Sequence, residues 1–365
     1  MKRIVPLMFI ALFCLPVILH SAEPLTRPIA AIVLPDGLKH PDGLTLNTAT
    51  GDKILAVPVV GDKGNAWLMR IDANRNVHRY FELPAHPETG RVTPLGIVFC
   101  ADGHLYVADA QQLGGNPNHK GRILRVVHDN GRPILTEVLV TGLVQPNGMD
   151  IHNGILYVAE TQIYPDVVEM PMTSGVFAFA LSELSAAFPI HVKPYGADPR
   201  FIFSFQTTDA TRNGEWKVGA NGVGLSADGT LYVANFGDKT VIEIELDACG
   251  KKVLSYRDVN NPAEAVHESV DGLKICPRGF IFFADYVGNS IHVMNPANGK
   301  TIMLARNALN PNAAQKRAGA LDRSSEVGLR GNFVYAANID LETPDAPHTV
   351  SVISLEGLNL EALLR

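Results

Sequence analysis

Residues 220–235 read ANGVGLSADGTLYVAN: an apolar run opened by Asn221-Gly222, an Asp228-Gly229 turn, then a Tyr-Val-Ala run. Turn residues between short β-branched and aromatic runs read as a hairpin. The pattern recurs in both directions. Upstream lie PNGMDI from Pro146, PLGIVF from Pro94 and PDGLTL from Pro41; downstream lie VDGLKI from Val270 and EVGLRG from Glu326. The aligned glycines are Gly43, Gly96, Gly148, Gly222, Gly272 and Gly328, at intervals of 53, 52, 74, 50 and 56 residues. Each is followed by a copy of the second run: LAVP at Leu55, YVAD at Tyr106, YVAE at Tyr157, YVAN at Tyr232, FFAD at Phe282 and YAAN at Tyr335. Third and fourth runs follow, such as TVIEIEL from Thr240 and KVLSYRD from Lys252. Four strands in a unit of about 50 residues match a propeller blade. The expectation is an all-β, six-bladed β-propeller with four antiparallel strands per blade, filling residues 23–365 as one domain. The sixth unit lacks a fourth strand, and PIAAIVL from Pro28 precedes the first. The N-terminal strand is therefore expected to complete the last blade and remove its free edges.

The long third interval holds two strands, GVFAFAL from Gly175 and RFIFSF from Arg200, with loops from Thr161 and from Ser185. LSELSAAF from Leu181 is the one weak helical candidate. A further long loop starts at Gln111. Long loops on a rigid scaffold are often functional, although propellers also tolerate insertions on either rim.

Charge and leader narrow the function. The formal net charge is -6 and no run of Lys and Arg appears, which points away from nucleic acid. Lys2 and Arg3 precede an apolar stretch, Ile4 to Leu19, ending near His20-Ser21-Ala22. Residues 1–22 read as an export signal cleaved after Ala22, with no stable membrane insertion afterwards. The expected location is the periplasm or the cell exterior. Cys100, Cys249 and Cys276 remain, too few for a disulfide scaffold, and no C-x-x-C suggests a zinc knot. Cys100 and Cys276 are read as core residues.

The residues before the aligned glycines are Asp42, Leu95, Asn147, Asn221, Asp271 and Val327. The first strand of a blade is innermost, so these positions converge on the central axis. Two carboxylates and two amides make an oxygen-only donor set, which suits Ca²⁺ before Mg²⁺ and well before zinc. Asp-Gly and Asn-Gly are also the commonest turn dipeptides, yet Leu95 and Val327 show that the fold does not demand Asx there. His267 and Glu268, in AVHESVDG from Ala265, approach Asp271 from the entering loop. Glu326 is offset by one from its aligned position, and His40 precedes Pro41-Asp42.

With these residues in view, the chain resembles the senescence marker protein / gluconolactonase / luciferin-regenerating enzyme propellers, to which paraoxonases are related. The resemblance spans the mature chain in blade order. It implies a metal held by Asp42, Asn147, Asn221 and Asp271, with Asp271 also the general base. The family's first-blade Glu-Gly-Pro is here Asp42-Gly43-Leu44, one methylene shorter at the ligand. Glu160, in LYVAET, is similar instead to strictosidine-synthase-like propellers, which share the scaffold without the metal chemistry. Glu160, His267 and Glu326 are carried as weaker substrate-binding candidates. The leading expectation is a calcium-dependent lactonase or esterase acting on a small molecule. A non-catalytic binding propeller and a metal-free strictosidine-synthase-like enzyme stand beside it.

Overall fold

The structure, a computed structural model, describes residues 23–111, 119–164, 170–208, 218–261, 263, 265–342 and 345–365. Residues 1–22, expected to be an export signal, and parts of the loops after Gln111 and Thr161 lie outside the described residues.

Six sheets follow one another around an axis, and in each the first four strands run from inner to outer in sequence order, except that the outer strand of blade six is the N-terminal one. The inner strands are Leu44–Leu46, Pro94–Phe99, Pro146–His152, Ala220–Leu225, Leu273–Ile275 and Ser324–Arg330. The second strands of blades one to five, such as Leu231–Asn235 and Ile281–Asp285, are buried at every residue, as strands covered on both faces must be. The apolar clusters lie between adjacent blades; one joins Tyr157 and Val176 of blade three to Val233 and Ile242 of blade four.

The ring closes as the sequence indicates. Pro28–Val33 pairs antiparallel with Thr349–Ser354 as the outer strand of blade six. The preceding segment also bonds to blade five, with Leu25 N donating to Met303 O at 3.1 Å and Thr26 N to Leu304 O at 2.9 Å. The N-terminal segment thus ties two blades together.

Two features depart from the expected plan. Ile190–His191, expected as loop, pairs in parallel with Val140 and Thr141, giving blade two a fifth strand. The insertion of blade three crosses to its neighbour and covers an edge that would otherwise face water. The helical candidate at Leu181 is a single 3₁₀ turn, Leu181–Glu183. No described helix is long and apolar enough to cross a membrane. The cysteines are free; Cys100 and Cys276 pack against separate apolar clusters, in keeping with a core role.

The inner strands meet backbone to backbone. A Cβ on Gly43 would collide with the Leu95 carbonyl, one on Gly96 with that of Asn147, and one on Gly148 with that of Asn221. On Gly222 it would lie 2.7 Å from Asp271 O, and on Gly272 2.6 Å from Ser325 O. Each contact joins the glycine of one blade to the residue before the glycine position of the next. Blade six therefore aligns at Ser325-Glu326, not at Val327-Gly328. Its ladder agrees: Glu326 pairs with Ala337 as Gly272 bonds Ala284. Gly328 lies two residues further on, where an added Cβ meets only the Leu44 side chain.

This register makes Gly148→Ala far more damaging than Gly328→Ala. Backbone collision in a packed ring is expected to cost about 2–4 kcal/mol, against about 1 kcal/mol where a leucine can shift. Urea denaturation of the two variants measures the difference; equal losses would contradict the assignment.

Candidate metal and catalytic site at the tunnel mouth

The ring position is occupied in turn by Asp42, Leu95, Asn147, Asn221, Asp271 and Ser325. Asp42, Asn221 and Asp271 are each 7% exposed, and Asn147 is half-buried. Blades five, six and one are neighbours, so Asp271 and Asp42 flank Ser325. The Ser325 hydroxyl donates to Asp42 Oδ1 at 2.5 Å. The Asn221 amide lies near the Asp271 carboxylate and favours its charged form, while the Gly272 N–H donates to Ser325 O at 2.7 Å.

Behind the ring lies a second charged tier. Glu326 replaces the glycine of the other blades and folds its carboxylate over Gly272, Oε1 lying 2.5 Å from where a Cβ would stand. Glu326 Oε1 accepts from Val327 N at 2.8 Å, and Lys274 Nζ reaches Oε2 at 3.3 Å. Asp150 of blade three accepts from Leu225 N at 2.9 Å and Ile151 N at 2.8 Å, and lies within the field of Lys274 and Glu326.

Three buried carboxylates and a half-buried one thus surround one lysine. Burial pushes the Asp42 carboxyl up to about 7, with Glu326 adding to the rise and the Ser325 hydroxyl opposing it. Burial raises Asp271 well above the usual carboxylate range, and the charges of Asp42 and Glu326 add to it. Burial also raises Glu326 and Asp150, each partly offset by Lys274. A charge with no partner in a low dielectric must be neutralised by a proton or a cation. Lys274 is already engaged by Glu326, so Asp42 and Asp271 are left to share their own counter-charge.

The donors fit a hard dication on that ground. Among the described residues, no group of three or more His, Cys, Asp or Glu is placed to hold a metal ion. The ring offers two carboxylates and amide oxygens instead, the chemistry of a calcium site.

The remaining candidates sit elsewhere. Glu160 ends the second strand of blade three and accepts from Val144 N at 3.2 Å and from Gln145 N. Burial raises its carboxyl to about 8. The same station recurs around the ring: Asp109 accepts from Thr93 N at 2.8 Å, Asp285 from Ser269 N at 2.9 Å, and Asn338 from Asp322 N at 3.2 Å. Glu160 is thus one copy of a repeated clamp on the segment entering a blade. His267 is 1% exposed, edge-on to Phe283 at 4.8 Å, with Nε2 3.0 Å from Lys239 O. Burial and the neighbouring His292 hold its imidazole down at about 3. Its contacts belong to the Asp285–His292 cluster and not to the ring. His40 Nδ1 lies 2.9 Å from Ile339 O. Ser325, Lys274 and Asp150 were not singled out from the sequence. Counting back from Asn338 in blade six leads to Ser325, and stepping three residues past Asn147 and Asp271 leads to Asp150 and Lys274.

No protein-family model and no curated protein matches the chain. Solved structures do. A calcium-binding protein, regucalcin, from Agrobacterium tumefaciens aligns with a TM-score of 0.57 at 12% identity, covering 92% of this chain and 97% of the other. A putative gluconolactonase aligns at 0.54 and 16% identity, covering 90% and 94%. A gluconolactonase from Xanthomonas campestris, described as important in glucose secondary metabolic pathways, aligns at 0.53 and 11% identity, covering 91% and 98%. These likenesses establish the shared propeller fold.

The raised carboxyl of Asp42 has a signed consequence. The folded chain keeps this proton to about pH 7, whereas an unfolded aspartate loses it near pH 3.9. The folded state therefore binds more protons between about pH 4 and 7, and this residue's contribution to stability falls as pH rises through that window. In calcium-free buffer, Asp42→Asn is expected to gain stability relative to the parent from about pH 4 to 7. Saturating calcium should abolish the gain. Denaturation series on both proteins, with and without calcium, check both outcomes.

Proposed function

We propose that the chain hydrolyses a lactone or related ester with calcium bound at the tunnel mouth, as a member of the gluconolactonase-like propellers. The observation that carries this reading is the ring itself: Asp42 and Asp271, buried and mutually repelling, beside Asn147 and Asn221. The named gluconolactonases and the calcium-binding regucalcin with the same fold support it.

Asp42, Asn147, Asn221 and Asp271 would hold the ion, which when bound supplies Lewis-acid polarisation of the ester carbonyl and balances developing negative charge. Asp271 removes a proton from the attacking water as the new C–O bond forms. The acyl–alkoxy bond then breaks, the alkoxide leaving group takes up the proton, and a hydroxy acid results from a lactone. Asp271 is favoured over Asp42 because the Ser325 hydroxyl occupies Asp42 Oδ1. Asp42 supplies charge; Asn147 and Asn221 supply amide dipoles that orient substrate. The leader at residues 1–22 places this activity in the periplasm or outside the cell, on a small-molecule substrate.

Asp271→Asn keeps the shape and an oxygen donor but removes the basicity. With calcium saturating, kcat on the best substrate of a lactone and ester panel should fall about 10²–10⁴-fold. Asn147→Asp, which keeps an oxygen donor, should retain calcium. A rate within about threefold of the parent would remove Asp271 as the base. Panel turnover that survives chelation would favour a metal-free hydrolase. No turnover on any substrate would favour a binding propeller.

A further inference from the structure

At the end of the propeller opposite the ring, three basic side chains gather in the seam between blades six and one. Lys53 opens the second strand of blade one, and Arg330 closes the inner strand of blade six. Arg75 lies in the hairpin turn that follows the third strand of blade one, with φ of 67°. All three gather on one strand of blade six. Lys53 Nζ stands 4.3 Å above the Tyr335 ring, and the Arg75 guanidinium 5.5 Å above Phe333. Arg330 is the cross-strand partner of Phe333. Gly51 leaves the space the Arg330 guanidinium uses, an added Cβ lying 3.0 Å from it.

The nearby acids are committed elsewhere. Asp52 pairs with Arg70 at 3.1 Å. Asp72 accepts from Asn74 N and Asn76 N at 2.9 Å and meets His78 Nε2 at 3.0 Å. Among the described residues, none of Lys53, Arg75 and Arg330 forms an ion pair. Lys53 is nonetheless 3% exposed. Burial, then Arg330, depresses its ammonium to about 8, with Arg75 adding to the fall and Asp52 and Asp72 opposing it in part. A buried cation above an aromatic ring, crowded by two guanidinia, is an arrangement that an anion relieves.

We propose that Lys53, Arg75 and Arg330 form a binding site for a tetrahedral oxyanion, a phosphate or phosphate monoester, at the base of the seam between blades six and one. In such a complex the ammonium and the two half-buried guanidinia would each take an oxygen of the anion.

The test uses the full chain in calcium-free buffer at fixed ionic strength, so that it is independent of the tunnel-mouth site. Inorganic phosphate and glycerol 1-phosphate are titrated by calorimetry and thermal shift, with chloride as the reference. Saturable binding of either supports the site, and the tighter of the two identifies the source as free ion or ester. Lys53→Met and Arg75→Gln should each weaken that binding at least about tenfold, a loss typical of one charge-assisted contact. Arg75 lies in a surface turn, so its variant remains informative if Lys53→Met fails to fold. Neither anion exceeding chloride, or undiminished binding in Arg75→Gln, would overturn the proposal.

Discussion

The structure depends on how closely one inner strand approaches the next. At Gly43, Gly96, Gly148, Gly222 and Gly272 a backbone with no side chain lies against the residue before the glycine position of the following blade. The approach is sealed by backbone hydrogen bonds, Gly222 N to Asp271 O at 3.2 Å and Gly272 N to Ser325 O at 2.7 Å. Interiors packed this tightly do not deform continuously. The contacts therefore set the blade angle, the width of the tunnel and the spacing of side chains on its rim. A residue placed just before such a glycine has no option but to face its counterparts from the other blades.

That constraint concentrates charge. Asp42 and Asp271 reach the rim from the two stations that flank Ser325, and Glu326 and Asp150 add two more acids behind them. Lys274 answers only part of this. A fold stabilised by apolar seams between blades can tolerate such an imbalance, and a site for a dication is the arrangement in which the imbalance is useful. Ser325 fits the same account. Its hydroxyl holds Asp42 Oδ1, fixing the direction of the free oxygen.

The fold was legible because its signals are local and repeated. Turn dipeptides, Tyr-Val-Ala runs and the spare strand from Pro28 each have one physical reading, and six copies reinforce it. Four of the five polar ring members were legible for the same reason, since Asx-Gly marks them directly. Ser325 was not, because in blade six Glu326 stands where glycine is expected and Gly328 offers a misleading anchor two residues later. Lys274 and Asp150 were hidden because nothing in their own segments sets them apart; only the tunnel brings blade three's aspartate within the field of blade five's lysine. Glu160 shows the opposite limit. Its sequence context suggests function, yet the clamp it makes on Val144 and Gln145 is repeated with Asp109, Asp285 and Asn338. A buried acid that satisfies backbone N–H groups looks, in sequence, like one that awaits a ligand.

The central claim is that the ring holds one dication through residues of four different blades. Equilibrium dialysis against calcium, with metal counted per chain, tests it directly in the parent and in Asn221→Leu, which removes one amide oxygen from the blade-four station without changing charge. The account predicts one calcium per parent chain and at least about tenfold weaker binding in the variant, the scale of one lost ligand or its support. No bound calcium in the parent, or equal affinity in the two proteins, would contradict it.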